Sequence, residues 1–281
     1  WGWLFIGMGA LSTVGGILYA CVQSDLKRLL AYSSIENIGI ITIGIGLFII
    51  GQSKNLPLLA SLGYVGMLLH LINHAVYKAL LFLGAGAILH HTGTTNMDQL
   101  GGLIKKMPLV GFTFVVGCIA VTGLPPLNGF FSEFLLFLGS FTGAQILHKD
   151  PFFVAFFIAL ASLIFAGGLS LAAFSKAFGI SFLGQSRQTT DVLSHSSHHT
   201  NLLLVLPMVV LSVLCICLSF SFPWLFNLAL RLLSDSHQYS TQHPIKYVFL
   251  FSIVLTGLIV FFAIVRWFIL RNRSVKKAAT W

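Results

Sequence analysis

Residues 57–91 read PLLASLGYVGMLLHLINHAVYKALLFLGAGAILHH, a run of 35 residues holding one lysine and no carboxylate. As an α-helix it would be about 52 Å long, and a bilayer core of ~30 Å needs only about 20 residues. The run is continuous rather than alternating, which excludes an outer-membrane strand. Its length predicts a membrane helix that tilts or begins in the interface. Six further apolar runs flank it, over 2–23, 29–51, 108–142, 152–184, 201–229 and 246–270. The fold class that follows is all-α, a polytopic membrane bundle of about seven transmembrane helices.

Composition agrees. The 281 residues are 57% hydrophobic and 8% charged, with mean hydropathy +0.93. A soluble domain carries about 25% charged residues, and a soluble α/β enzyme of this composition would expose large apolar patches. The net charge of +9 does not point to nucleic acid. The basic residues form short clusters between apolar runs, with no basic stripe interleaved with aromatics. The partner this composition implies is the lipid bilayer. Cys21, Cys118, Cys215 and Cys217 fall in or beside apolar segments and form no CxxC pair, so they read as small apolar helix residues. No signal peptide precedes Trp1, and the first residues already read as membrane helix, which suggests a fragment of a longer chain.

The run 108–142 is too long for one straight crossing. It contains Leu124-Pro125-Pro126-Leu127-Asn128-Gly129, and adjacent prolines remove two donors and clash with the preceding turn. Charge decides between one broken helix and two spans. With seven spans, Lys27, Arg28, Lys105, Lys106, Lys176, Arg187, Arg266, Arg271, Arg273, Lys276 and Lys277 share one side, against Lys54, Lys149, Arg231 and Lys246 on the other. That is 11 against 4, whereas splitting the run gives 7 against 8. The positive-inside rule then favours a single helix broken at Pro125-Pro126 and a cytoplasmic C-terminus. Residues 185–200 (QSRQTTDVLSHSSHHT) read as a polar cytoplasmic loop whose His195, His198 and His199 are solvated rather than metal-bound. Residues 271–281 read as a basic tail, and 201–270 as additional membrane helices.

Ionisable residues at membrane depth single out a site. Glu36 lies ~15 Å along the second run, and Glu133 follows the proline break. His70, His74 and Lys78, spaced i, i+4, i+8, fall on one helix face over ~12 Å, with Asn73 beside them. Lys78 is ~18 Å from the cytoplasmic end of its helix, too far to snorkel. Each buried charge costs at least ~2.5–3.5 kcal/mol. One reading is polar glue between helices, Lys78 pairing with a carboxylate. The other is a proton or ion relay, in which a lysine between helices exchanges protons and imidazoles accept on one nitrogen and donate from the other. Steps of ~6 Å would need intervening water. The pattern HxxxH is not HExxH, since Leu71 stands where a glutamate would be needed, and Lys78 would repel a cation. No metal is expected. Discontinuous helices such as the one broken at Pro125 and Pro126 form ion sites in transporters, which favours the relay.

Three motifs together are similar to a known family: Ser24-Asp25-Leu26-Lys27-Arg28-Leu29-Leu30-Ala31-Tyr32-Ser33-Ser34, then His70 to Lys78, then Leu124 to Glu133. The chain resembles the antiporter-like proton-pumping subunits, which include large membrane subunits of respiratory complex I and of Mrp-type sodium/proton antiporters. The stretch from Ser33 to Gly39, with Glu36, looks most like the hydrogenase-4 or formate hydrogenlyase branch.

The resemblance implies a fold of two inverted five-helix repeats, of which residues 1–184 would be the C-terminal one. It places His70, His74 and Lys78 on a central hydrophilic axis and Glu133 towards the proton exit. Glu36 would be an accessory carboxylate able to pair with Lys78 or another cation. The expected function is a proton-translocating subunit of a respiratory or hydrogenase-type oxidoreductase complex in a bacterial-type cytoplasmic membrane. Partner subunits would supply the redox chemistry, since no motif for flavin, nucleotide, haem or cluster is present and no cofactor is expected. A Na+/H+ or K+/H+ antiporter subunit and a non-transporting scaffold are the alternatives. Without the family's first repeat, the chain alone is not expected to pump.

Overall fold

The computed structural model describes residues 1–151, 153–187, 202–233 and 242–270, and among these it is helical, with no strand. The long helices are α1 (Gly2–Cys21), α2 (Leu26–Ser53) and α3 (Pro57–Thr92). A single turn α4 (Leu103–Lys106) then leads into α5 (Pro108–Val121), α6 (Asn128–Ile146) and α7 (Val154–Phe182). The chain continues as α8 (Leu202–Phe220), α9 (Phe222–Leu233) and α10 (Gln242–Leu270). Five of these helices are long and apolar enough to cross a membrane. Their outer faces carry exposed Leu11, Leu71, Ile164 and Leu203, the surface a lipid solvent requires.

The helix ends follow local chemistry. Asp25 caps α2, its carboxylate accepting from the Arg28 amide at 3.0 Å. Pro57 and Pro108 open α3 and α5, where a missing N–H costs nothing. Gly93, at φ 73°, closes α3 in the left-handed conformation.

Contacts fix the directions. Gly2, Gly9 and Gly16 of α1 lie against Gly46, Gly39 and Glu36 of α2, so the pair is antiparallel. Gly51 abuts Ala60, and Lys78 reaches back to the carbonyl of Leu30, so α2 and α3 are antiparallel too. Trp3 meets Phe156 edge-on at 5.1 Å, and Lys176 donates to the carbonyls of Cys21 (3.0 Å) and Gln23 (3.1 Å), so α7 runs parallel to α1.

The proline run behaves as read. Descending α3, Gly84 faces Phe114, Leu81 faces Gly117, Asn73 bonds Asn128, His70 bonds Ser132, and Gly66 faces Leu136. Helices α5 and α6 therefore make one antiparallel crossing, interrupted at residues 122–127 by a segment containing a cis Pro125–Pro126 bond. A second interruption was not foreseen. The run 201–229 divides at Ser221 into α8 and α9, because the ring of Pro223 cannot sit against the carbonyl four residues earlier. Met208 lies beside Gly84, Ser219 donates to the Pro126 carbonyl, and Phe222 stacks on Phe131 at 4.5 Å, so this pair descends alongside the first.

The bundle has two distinct ends. At one, Asp25 bridges Asn96, Gly102 N–H donates to the Leu183 carbonyl, and Arg187 donates to the Leu100 carbonyl, gathering the loops that carry Lys27, Arg28, Lys105 and Lys106. At the other, Lys54 pairs with Asp150 at 2.7 Å. His195, His198, His199 and the tail 271–281 lie outside the described residues.

Candidate functional site

The middle of α3 is buried on the side facing α2 and α6. His70, Asn73, Tyr77 and Lys78 are each no more than 6% exposed. Lys78 donates to the Ser33 hydroxyl and, at 3.2 Å, to the Leu30 carbonyl of α2, while the Phe174 ring of α7 covers it at 5.7 Å. One turn along α2, Asn37 gives its amide N–H to the Ser33 carbonyl at 2.7 Å. Its Oδ1 must then be the acceptor for both Tyr77 (2.6 Å) and His70 Nε2 (3.1 Å).

That assignment fixes the histidine tautomer. Nε2 of His70 carries a proton, so in the neutral ring Nδ1 accepts from the Ser132 hydroxyl at 3.0 Å. Ser132 also lies 3.0 Å from the Gly129 carbonyl and accepts from Asn73 at 3.1 Å. A proton added to His70 would reverse the Nδ1 bond and turn the serine hydroxyl to Gly129. Asn73 and Asn128 complete the chain at the first residue of α6. A polar string thus runs from Lys78 through Ser33, Asn37, His70 and Ser132 to the helix break, enclosed by apolar side chains.

The remaining candidates stand apart from this string. His74 leaves Nε2 without a hydrogen bond and lies edge-on to Tyr77 at 5.8 Å. Each i, i+4 step rotates ~40° about the helix axis, so the His70–His74–Lys78 stripe curls instead of forming one line. Glu36 is 2% exposed, its Oε2 unpartnered. It makes no ion pair with Lys78; the ion pair among the described residues is Lys54–Asp150. Glu133 opens onto a cavity of about 390 Å³ between the helix break and α7. Gly123 has φ 61°, a left-handed conformation that favours glycine, and its Cα passes beside the Glu133 carboxylate, which a Cβ there would displace.

Tyr77, Ser132, Asn37 and Asn128 are structural members of the string that charge-based reading passed over. Their signal was available as neutral polar residues recurring on one buried face, Ser33–Asn37 at i, i+4 and Asn73–Tyr77 likewise. Among the described residues no cluster of three His, Cys, Asp or Glu side chains assembles to hold a metal.

Residues 1–164, which contain the whole string, match the family described as NADH:quinone oxidoreductase/Mrp antiporter, TM. The chain belongs to this family. Hydrogenase-4 component B of Escherichia coli (strain K12) is 37% identical over 87% of this chain and 35% of its own length. Formate hydrogenlyase subunit 3 of the same organism is 36% identical over 80% of this chain and 36% of its own. A Na(+)/H(+) antiporter subunit of Alkalihalophilus pseudofirmus is 31% identical over 81% of this chain and 41% of its own. The chain therefore spans roughly two fifths or less of the length of these family members.

Among solved structures, a chain of the Mrp complex from Dietzia sp. DQ12-45-1b superposes with TM-score 0.65 at 22% identity, over 82% of this chain and 46% of that one, a likeness of fold. A chain of the archaeal membrane-bound sulfane sulfur reductase, a respiratory membrane complex, superposes with TM-score 0.62 at 30% identity, over 78% and 32%.

Proposed function

We propose that this chain is part of a proton-translocating membrane subunit of a respiratory or hydrogenase-type oxidoreductase complex, with redox chemistry supplied by partner subunits. The observation that carries this reading is the polar string from Lys78 to the helix break. Lys78 donates to the Ser33 hydroxyl and Asn37 to the Ser33 carbonyl, so the two parts of the string meet at Ser33, and it ends where backbone leaves helical geometry at membrane depth. Similarity to hydrogenase-4 component B and formate hydrogenlyase subunit 3 supports the redox host. Lys78 is the central proton carrier, His70 and His74 are relay groups, Glu133 is the terminal carboxylate and Glu36 an accessory one. The basic excess on the end bearing Lys27, Arg28, Lys105 and Lys106 favours that end as cytoplasmic, and with it the C-terminus, in an inner membrane.

The test is proton pumping by the parent complex in inverted membrane vesicles carrying Lys78→Ala, with assembly measured alongside. A sharp fall in protons moved per electron in assembled complex supports the relay. Unchanged pumping would reduce the string to polar packing and favour a scaffold.

A sodium- or potassium-coupled antiporter subunit is the second reading. It is favoured by the unpartnered Glu36 oxygen and the Glu133 carboxylate at the cavity, since hard cations prefer oxygen ligands. Similarity to the Na(+)/H(+) antiporter subunit of Alkalihalophilus pseudofirmus favours it as well. Sodium-dependent transport abolished by Glu36→Gln would select it.

A further inference from the structure

We infer that the α8–α9 crossing braces the broken α5–α6 crossing, and that Ser219 is the positioning residue through which it acts. This rests on the proton-translocating reading and extends the site to the second interrupted crossing. The first observation is that two helix interruptions lie side by side. The α5–α6 crossing is interrupted at residues 122–127 and the α8–α9 crossing at Ser221. Ser219, 4% exposed, donates across the gap to the Pro126 carbonyl. Just beyond, Phe222 stacks on Phe131 with 21° between the rings, and Phe226 packs into the cluster of Val65 and Leu135. Break therefore faces break, and the half-helices that follow run together.

The direction of the serine bond is the second observation. A hydroxyl inside a helix usually turns back to a carbonyl three or four residues earlier. Ser212 does so to Val209 at 2.8 Å, and Thr122 to Cys118 at 3.0 Å. Ser219 instead gives its proton to another crossing. The acceptor needs it. The amide of Phe130, four residues beyond Pro126, donates to the Leu127 carbonyl at 3.2 Å. At membrane depth no bulk water stands ready to take its place.

The Pro126 carbonyl is the hinge between two parts of the site. Three residues before it, Gly123 passes beside the Glu133 carboxylate. Two residues after it, Asn128 exchanges hydrogen bonds with Asn73. A shift of this carbonyl would move both. Asn73 fastens the break from α3, and Ser219 fastens it from α8. Pro223 shapes the brace, since its missing N–H and its ring end α8 and let Phe222 turn onto Phe131.

The test measures protons moved per electron by the assembled parent complex in inverted vesicles, with electron transfer and assembly followed alongside. Ser219→Ala should lower the ratio about fivefold or more at unchanged electron transfer, the equilibrium shift that stranding one buried acceptor produces. Ser219→Thr keeps the hydroxyl and should restore it. Ser212→Ala, which loses only a bond within its own helix, should pump as the wild type does. Pro223→Ala returns an amide to α8 and should lower the ratio too, and it decides if Ser219→Ala fails to assemble. Normal ratios for Ser219→Ala and Pro223→Ala, with Lys78→Ala impaired, would overturn the brace and leave the proton-translocating reading intact. A loss in Ser219→Ala that Ser219→Thr does not repair, or that Ser212→Ala shares, would make Ser219 a packing residue and also overturn it. Normal pumping with Lys78→Ala would overturn the proton-translocating reading itself.

Discussion

Asn73 and Asn128 hold one another by two hydrogen bonds of 2.9 Å, one from each side-chain amide. They fasten the first residue of α6 to the middle of α3 at the point where the preceding helix has stopped. Interhelical hydrogen bonds in membranes are worth ~0.6 kcal/mol on average and up to ~1.7. Asn73→Ala should therefore lower unfolding stability in a bilayer mimic by about 1–3 kcal/mol. The double mutant with Asn128→Ala should fall short of additivity by ~0.5 kcal/mol or more. Strict additivity would show that the two amides act independently.

His70 and His74 should differ in their weight for folding. Replacing His70 with alanine removes two buried hydrogen bonds, to Asn37 Oδ1 and to the Ser132 hydroxyl, and leaves a cavity, whereas His74 leaves no protein partner behind on its Nε2. Each such hydrogen bond contributes ~0.5–1.5 kcal/mol even where Tyr77 and Gly129 remain to satisfy the groups left behind. Thermal unfolding of the two alanine variants should rank His70→Ala clearly below His74→Ala, and the opposite order would contradict the string described above.

Two glycines make a sharper steric contrast. A Cβ on Gly39 would lie 2.6 Å from the carbonyl oxygen of Gly9 on α1, while one on Gly86 would meet nothing within 4 Å. The α1–α2 backbones touch there, in the manner of small-residue membrane interfaces. Gly39→Ala should cost ~1–3 kcal/mol, as overpacking does, while Gly86→Ala should be neutral or slightly stabilising through helix propensity. Equal melting temperatures for the two variants would refute the close crossing.

Asp25 should give an acid-sensitive cap. Partial burial pushes its carboxyl up, but the Thr95 hydroxyl and the Arg28 and Lys27 amides outweigh that and hold it below its ordinary value of 3.8. A depressed carboxyl contributes stability that is fully present above the ordinary value and is lost as pH falls through the folded one. The wild type should lose melting temperature on acidification below about pH 4, and Asp25→Asn should flatten that part of the curve. At neutral pH, Asp25→Ala should cost ~0.5–2 kcal/mol of capping. A wild type and Asp25→Asn pair with parallel pH profiles would remove Asp25 from the account.

Much of the fold was legible because lipid leaves little choice. Continuous apolar runs must be helices, and charge asymmetry chose one broken crossing at Pro125-Pro126, where the contacts of α3 now place it. The break at Ser221 was hidden because Pro223 sits in an apolar run that shows no other turn signal. For the site, ionisable residues at membrane depth drew the eye to His70, His74, Lys78, Glu36 and Glu133. The groups that join His70 to Lys78, Ser33 and Asn37, are neutral, as are Tyr77 and Ser132 bonded beside them. A hydroxyl or amide inside a helix is common enough that spacing alone does not reveal which other helix it meets.

The two ends of the bundle differ in how they are tied. At one end, backbone and guanidinium hydrogen bonds connect the loops at Asp25, Asn96, Leu100, Gly102, Leu183 and Arg187. At the other, among the described residues, the ion pair Lys54–Asp150 joins the loops over the apolar contact of Trp3 with Phe156, with Lys54 43% exposed, and such an exposed pair contributes at most ~1 kcal/mol. The helices are thus clamped like the spine of a book and held at the opposite edge by a weak clasp. Small splaying movements would pivot at the clamped edge and widen most at the clasp. Movement that loosens helix contacts would then favour the end bearing Lys54 and Asp150.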